Sequence, residues 1–166
     1  NLTKSVLEAK RLGMVLRVNL IIGFPCETWK DVFRTLIYGL KMVFHGADEV
    51  APNLYSPYPG TEIFNELVKK SEIKIDDDYF FSLTSLNSAY FSKATSFNPR
   101  LPANKLQSLR VLMVFINYSM SYLVYPKRIF RTLKNLFSKT EAATVFEHRL
   151  KDFLTRRIHA IKLSKG

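Results

Sequence analysis

The feature that most constrains the fold is an apolar run over 14–23, "MVLRVNLIIG", that stops at a glycine and is followed by a predicted helix. Such a β-branched run is typical of a strand that is buried on both faces of a parallel sheet. A second run, about 49–55, is followed in the same way by "SPYPGTEIF" and by a helix over about 62–70. Strand, turn and helix occur twice in succession, which predicts an α/β fold with parallel strands.

A helix is predicted between the two strands, from Thr28 to about Phe44. Thr28 is the expected N-cap, and Asp31, three residues later, completes a capping box. The apolar positions that follow the helical repeat are expected to be buried. They are Val32, Phe33, Leu36, Ile37 and Leu40. A helix in this place completes the strand–helix–strand repeat.

The two turns that follow the strands are the segments of this sequence in which functional residues are expected. They read "GFPCET" (23–28) and "SPYPGT" (56–61), and in parallel α/β folds such strand-to-helix turns lie at one mouth. Gly23 and Pro25 bend the chain tightly and free backbone groups for a ligand. Glu27 could accept hydrogen bonds from helix amides or from a ligand. A plain strand–helix connection with good capping explains the same residues.

Charge and cysteine content limit the partners. The net charge is +11, and residues 101–166 carry 13 Lys and Arg against 3 Asp and Glu. This asymmetry predicts an anionic partner, either membrane phospholipid or nucleic acid, of which nucleic acid is the less favoured. A single cysteine, Cys26, excludes an intrachain disulfide and any multi-cysteine metal site within these residues. With no secretory signal at its start, the chain is expected to be cytoplasmic.

Both turns resemble segments of the radical SAM superfamily. "IIGFPCETWKDV" is similar to the segment written IxGFPGET at the end of the fifth barrel strand of that family. "NLYSPYPGTEIF" is similar to the sixth strand, roughly 30 residues later. "DDDYFFSL" and "YPKRIFRTLKNLF" resemble the cobalamin-binding subgroup, which includes the anaerobic oxidative cyclase of chlorophyll biosynthesis and hopanoid-modifying enzymes. The similarity covers most of the chain and is closest over 14–64.

The resemblance implies a role for each turn. The positions that match the S-adenosylmethionine contacts of the family are Ile22, Gly23, Phe24 and Pro25, with Glu27 matching the glutamate of the motif. The positions that match the sixth-strand turn, near the substrate, include Tyr55, Ser56 and Tyr58. Cys26 stands where the family has glycine. If that glycine needs a positive φ, cysteine would be strained there by about 1 kcal/mol.

The resemblance also implies what lies outside these residues. The family binds its [4Fe-4S] cluster through a Cys-x3-Cys-x2-Cys loop after the first strand, and these residues have no such loop. The chain is therefore expected to be the C-terminal part of a longer enzyme and to be inactive alone. The parent would cleave S-adenosylmethionine to a 5′-deoxyadenosyl radical, with cobalamin as a further cofactor, and would act on a lipid-like or tetrapyrrole substrate.

Three regions are expected. Residues 1–74 would form the last strand–helix units of a partial (β/α) TIM-type barrel, 75–104 an extended wrapping segment, and 105–166 a basic helical extension. A long helix is predicted over 101–126. Its uncharged stretch, 111–125, has 15 residues, fewer than the ~20 that span a bilayer.

Two interpretations of that uncharged stretch stay open: a core helix, or a helix lying on a membrane surface. The basic residues that follow it are Lys127, Arg128, Arg131 and Lys134. The alternative function is thus a non-catalytic basic helical module that docks on an anionic membrane or on nucleic acid. In that case the protein would be peripheral at the inner face of the membrane.

Overall fold

The computed structural model describes residues 2–80, 83, 95–137 and 142–163. The helices are α1 (Leu2–Arg11), α2 (Trp29–Phe44), α3 (Glu62–Lys69), α4 (Ala103–Val124), α5 (Lys127–Phe137) and α6 (Val145–Leu163). The strands are β1 (Arg17–Ile22) and β2 (Glu49–Leu54). The described part of the chain is thus an α/β structure that is mostly helical.

The two strands form a parallel pair with α2 as the connection between them. Arg17 lies opposite Glu49 and Ile22 opposite Leu54 in this sheet. At the start of α2 the Asp31 carboxylate accepts hydrogen bonds from the Thr28 amide at 3.0 Å and the Thr28 hydroxyl at 2.6 Å. The predicted strand–helix–strand repeat and its capping box are confirmed.

The prediction that the first strand is buried on both faces is wrong. Burial alternates along β1, where Val18, Leu20 and Ile22 are buried while Arg17 and Asn19 are exposed. The physical reason is that α2 and α4 pack side by side on one face of the sheet. Within the described residues, no helix covers the other face of β1. That face is open along β1, where it carries Arg17, Asn19 and Ile21, whereas Glu49 and Ala51 of β2 are buried.

The predicted buried stripe of α2 is only partly right. Val32 and Leu36 are buried as expected, and Leu40 is partly buried, but Phe33 and Ile37 are exposed. The helix is turned so that Gly39 faces the sheet, where a Cβ atom would lie 2.7 Å from Leu20 Cδ1. The α2 backbone thus approaches the sheet closely at Gly39, and the side of the helix that carries Gly39 contacts the sheet. Phe33 and Ile37 lie beside that side and point to solvent.

The predicted long helix is confirmed as α4, which ends just before Pro126. It shares a core with the strands and α2, since Leu106 and Met113 pack in the same cluster as Ile22 and Leu54. Of the segment predicted to be extended, residues 77–80 are helical and 95–102 are irregular. The remainder of that prediction, 81, 82 and 84–94, lies outside the described residues.

A buried carboxylate joins the strands to the basic helix α5. Asp48 directly precedes β2 and its side chain is fully buried. Its carboxylate accepts a hydrogen bond from the Leu16 amide at 3.1 Å and one from Arg131 Nη1 at 2.8 Å, and Arg128 Nε lies 3.3 Å from it. The Arg128 guanidinium also donates to the Gly46 carbonyl at 2.7 Å. The N-terminal ends of both strands are therefore tied to α5 through ionic contacts.

A second buried carboxylate, Glu147 of α6, continues this network. It accepts hydrogen bonds from the Thr132 hydroxyl at 2.7 Å, the Asn135 amide at 2.9 Å and the Ala143 N–H at 2.8 Å. Arg131 Nε lies 3.7 Å from Glu147, so this arginine bridges the two carboxylates. Arg131, Thr132 and Asn135 of α5 thus face inward and hold α5 and α6 together.

We predict that Asp48→Asn lowers the free energy of unfolding by about 3 kcal/mol, because two arginines lose a buried anionic partner. Urea unfolding at neutral pH measures this change. Asp77→Asn is the control, since Asp77 is exposed and its loss should change the free energy by less than about 0.5 kcal/mol. A loss for Asp48→Asn as small as that of the control would contradict a stabilising role of the network.

The same carboxylate predicts a pH dependence. Burial alone would raise the pKa of Asp48, but the hydrogen bonds from Arg131 and Leu16 and the charges of Arg128 and Lys10 outweigh it, so the pKa is lowered. A group with a lowered pKa stabilises the fold above its unfolded pKa of about 3.9, and this contribution is lost as the pH falls. Between neutral pH and pH 3, wild type should therefore lose more stability than Asp48→Asn does.

Candidate functional site

The first strand-end turn, residues 23–28, is organised by Glu27. Its Oε2 atom accepts hydrogen bonds from the Gly23 amide at 2.6 Å and the Phe24 amide at 3.1 Å. Gly23 has a φ of +90°, in the left-handed region that favours glycine. Glu27 therefore closes the turn on itself, and its Oε2 atom is used for backbone amides.

Both turns are also held from outside by residues of the segment that follows α3. The Asn98 side-chain amide donates to the Phe24 carbonyl at 2.5 Å and to the Glu27 carbonyl at 2.9 Å. The Tyr79 hydroxyl donates to the carbonyl of Pro57, in the second turn. Since Asn98 is buried, its two hydrogen bonds fix the position of the first turn at the end of β1.

The two turns meet at an open pocket of about 330 Å³ at the carboxyl ends of the strands. The rings of Phe24 and Tyr55 form its aromatic wall, with centroids 4.5 Å apart. The nine residues that line it are all uncharged: Asn19, Ile21, Phe24, Asn53, Leu54, Tyr55, Ser56, Tyr58 and Thr61. A neutral pocket with one aromatic wall and two amides suits a planar polar ligand better than a strongly charged one.

Two hydroxyl groups in this pocket are chemically informative. Ser56 is buried, and its Oγ atom has no hydrogen-bond partner within the described part of the chain. A buried hydroxyl without a partner is costly, so a small side-chain rearrangement that pairs it with a ligand atom would gain binding energy. Burial raises the pKa of Tyr55, and a hydrogen bond with Thr61 offsets only part of that effect. Tyr55 is therefore a neutral phenol at physiological pH and can donate a proton in a hydrogen bond.

The residues expected to lie near substrate are brought together. Tyr55, Ser56 and Tyr58 all line the pocket, and Phe24, from the set expected to contact S-adenosylmethionine, faces them. Phe24 belongs to the first turn, Ser56 and Tyr58 belong to the second, and Tyr55 directly precedes the second. Both strand-end turns therefore contribute side chains to the pocket.

The other residues of the expected cofactor set lie elsewhere. The Ile22 side chain is in the core under α2 and α4, so only its backbone can face a ligand. Gly23 faces α4, because a Cβ atom there would lie 3.1 Å from Leu106 Cδ1. Pro25 lines a separate cavity beside Asn98, and Glu27 is occupied by the turn amides. Whether any of them contacts a cofactor stays a prediction.

Sequence reasoning missed the two asparagines of the pocket, Asn19 and Asn53. They lie on the open face of the sheet, where Ile21 is opposite Asn53 and Asn19 is opposite Ala51. Their signal was present in the sequence, since each is a polar residue with an apolar residue on either side. A strand taken to be buried on both faces hides that signal, whereas alternating burial explains it.

Cys26 is exposed. Its φ is not positive, since Ser71 is the only non-glycine residue with a positive φ among those described. The strain considered for a cysteine in place of glycine is therefore absent. Within residues 2–80, 83, 95–137 and 142–163, no three His, Cys, Asp or Glu side chains are grouped so that they could hold a metal ion.

None of the helices in the described ranges is both long and apolar enough to cross a membrane. Comparison with protein-family models, with curated proteins and with solved structures found no match to this chain.

We predict that Gly23→Ala destabilises the fold more than Gly60→Ala does. The two glycines have nearly the same φ, +90° and +88°, but only the added methyl group at Gly23 meets another atom within 4 Å. The left-handed backbone costs each alanine roughly 1–2 kcal/mol, and crowding against Leu106 adds to the cost at Gly23. Thermal and urea unfolding of the two variants measure the difference. Equal losses would mean that α4 does not press on this turn.

Proposed function

We propose that the chain is the C-terminal part of a radical SAM enzyme and supplies the last two strand–helix units of a partial (β/α) barrel. The observation that carries the proposal is the meeting of the two family-like turns at one pocket. The turns begin at Gly23 and Ser56, far apart in sequence, and both contribute side chains to its wall. Parallel α/β folds bind ligands at this end of their strands.

The edges of the sheet support a terminal position for β2. Alternate residues of a strand direct their backbone groups to the same edge. The Tyr55 N–H donates to the Ile22 carbonyl, so the backbone groups of Tyr55 face β1. Those of Pro52, three residues earlier, therefore face the outer edge of β2. Proline has no N–H to offer a further strand. Its carbonyl accepts a hydrogen bond from Arg110 Nε at 3.1 Å, so this edge is closed by a side chain.

The outer edge of β1 differs. Among the described residues no strand pairs with it. It contains no proline, so each of the alternate residues that face this edge has an N–H that could take part in a further ladder. A sheet with one closed and one open edge can be extended only beyond β1. This is the arrangement expected of the last two strands of an open barrel whose earlier strands belong to the same polypeptide.

The pocket fits the adenosine part of S-adenosylmethionine. Phe24 and Tyr55 offer aromatic surface for a purine, and the amides of Asn19 and Asn53 offer both donors and acceptors. Ser56 adds a buried hydroxyl that has no partner in the described ranges of the chain. Tyr58 is exposed at the rim, where a lipid-like or tetrapyrrole substrate would approach. Glu27 and Asn98 act as positioning residues that hold the first turn.

The residues present do not fit an iron–sulfur cluster. A cluster needs several thiolates, and the sequence contains one cysteine, which is exposed on the first turn. We therefore assign no chemical step to this chain. The cluster, and cobalamin where the parent uses it, would be held by other parts of the polypeptide, while these residues form one wall of the site.

The coding sequence upstream of Asn1 tests the proposal directly. We expect an in-frame Cys-x3-Cys-x2-Cys about 100–150 residues before Gly23, the span of four strand–helix units. A stop codon or an unrelated reading frame at that distance would refute the enzyme proposal.

We predict that Phe24→Ala in the parent protein weakens binding of S-adenosylhomocysteine about tenfold, because the purine loses one face of its aromatic contact. Isothermal titration calorimetry measures the affinity. Cys26→Ser is the matched control: it lies in the same turn but outside the pocket, and its affinity should equal that of wild type. Equal affinities for wild type and Phe24→Ala would rule out the adenosine assignment.

A further inference from the structure

Helix α5 is amphipathic, and its apolar side faces outward. Arg128 and Thr132 are buried, whereas Phe130 is 73% exposed, Leu133 48% and Ile129 42%. These three apolar residues lie on one side of the helix, at i, i+1 and i+4. Lys127 and Lys134 are exposed at the margin of that side. We refer to these five residues as the outer face of α5.

The orientation of α5 is fixed by ionic contacts and not by burial of its apolar side. Arg128 and Arg131 reach the buried carboxylate of Asp48, and Thr132 and Asn135 donate to Glu147. Turning the helix over would bury its apolar side but would leave both carboxylates without these partners. The network therefore holds three large apolar side chains in contact with water.

The same contacts revise which basic residues can meet a partner. Four basic residues lie on α5, and all of them were expected from the sequence to be available to an anionic surface. Arg128 is 5% exposed and its charge is paired internally, and Arg131 bridges two carboxylates. Lys127 and Lys134 are the α5 cations left facing outward. An external anion would therefore meet two lysines beside an apolar surface.

We propose that the outer face of α5 docks on a bilayer that contains anionic phospholipid, with Ile129, Phe130 and Leu133 in the interfacial layer and Lys127 and Lys134 at the headgroups. This proposal is independent of the radical SAM assignment.

Charge complementarity selects the bilayer over other occupants. An in-plane helix on a membrane presents large apolar side chains flanked by lysines, which is the pattern of the outer face. Helix α5 contains no acidic residue, and residues 101–166 carry 13 Lys and Arg against 3 Asp and Glu, so anionic lipid attracts this end of the chain. Leu123, at the end of α4, is also exposed and adds apolar surface next to α5 in the sequence.

Nucleic acid fits the outer face less well. Sites for single strands combine several aromatic side chains with many basic ones. The outer face has one aromatic ring, Phe130, among aliphatic side chains, and two of the four basic residues of α5 are turned inward.

Vesicle flotation of the full 166-residue chain tests the proposal. Vesicles of phosphatidylcholine with about 30% phosphatidylserine should carry the protein upward at about 0.1 M salt, whereas aggregated protein stays at the bottom of the gradient. The double variant Phe130→Ser, Leu133→Ser should lower the partition coefficient about tenfold or more. Lys127→Gln, Lys134→Gln should lower it on anionic vesicles but not on pure phosphatidylcholine.

Matched controls separate a specific face from general stickiness. Ile75→Ser removes an exposed apolar side chain elsewhere, and Lys69→Gln, Lys70→Gln removes two exposed lysines at the C-terminal end of α3. Both should float like wild type. Circular dichroism should show that the α5 variants remain folded, since the substituted side chains are exposed.

Four results would overturn the proposal. The first is no flotation of wild type with anionic vesicles, and the second is flotation that the α5 variants leave unchanged. The third is a dimer, seen by sedimentation velocity, that Phe130→Ser, Leu133→Ser dissociates while vesicle binding is absent, which would assign the face to a second copy. Retention on a single-stranded RNA oligonucleotide without vesicle flotation would likewise assign it to nucleic acid.

Discussion

The ion network around Asp48 is the interaction on which the arrangement of the second half of the chain depends. One carboxylate, placed at the start of β2, receives the Leu16 amide from the neighbouring strand and two arginines from α5. Removing charged groups from water is costly, and well-placed hydrogen bonds and ionic contacts are needed to offset this cost. The geometry is therefore specific, because a small rotation of α5 would lose several of these contacts at once.

The two ends of the sheet differ in physical character. At the N-terminal ends of the strands, Asp48 and Glu147 are buried in hydrogen bonds and ionic contacts that involve α5 and α6. At the carboxyl ends, an uncharged pocket opens between two turns, and the Ser56 hydroxyl has no hydrogen-bond partner among the residues that the structure describes. In parallel α/β folds the first kind of end contributes stability and the second kind binds ligands. Charge thus holds this structure together at one end and is absent from the pocket at the other.

Secondary structure and the turns could be predicted from sequence because they depend on local signals. The capping box at Thr28, the glycine at position 23 and the proline after α4 act within a few residues of themselves. The pocket could be predicted in part, since the turns were found but Asn19 and Asn53 were not. The alternation of burial along β1 depends on how many helical layers cover the sheet, and the residues of the strand alone do not determine that number.

The exposure of Phe33 and the burial of Arg128 were not predictable by the same local reasoning. Phe33 points to solvent because α2 contacts the sheet through the side of the helix that carries Gly39, which lies beside Phe33. Arg128 is buried because its guanidinium pairs with the buried carboxylate of Asp48, 80 residues earlier. Helical periodicity treats a basic residue as a surface residue, and no pattern within α5 marks which arginine has a partner far away in sequence.

The difference between the two sheet edges has a consequence for how the chain behaves during synthesis. A row of free backbone N–H and C=O groups is a template for any strand that meets it, including the same edge of another molecule. In a longer polypeptide made from its N-terminus, strands that precede β1 would emerge first and could cover that edge as soon as β1 forms. Among the described residues the outer edge of β1 has no such cover, whereas Pro52 and Arg110 protect the outer edge of β2 once the sheet and α4 have come together.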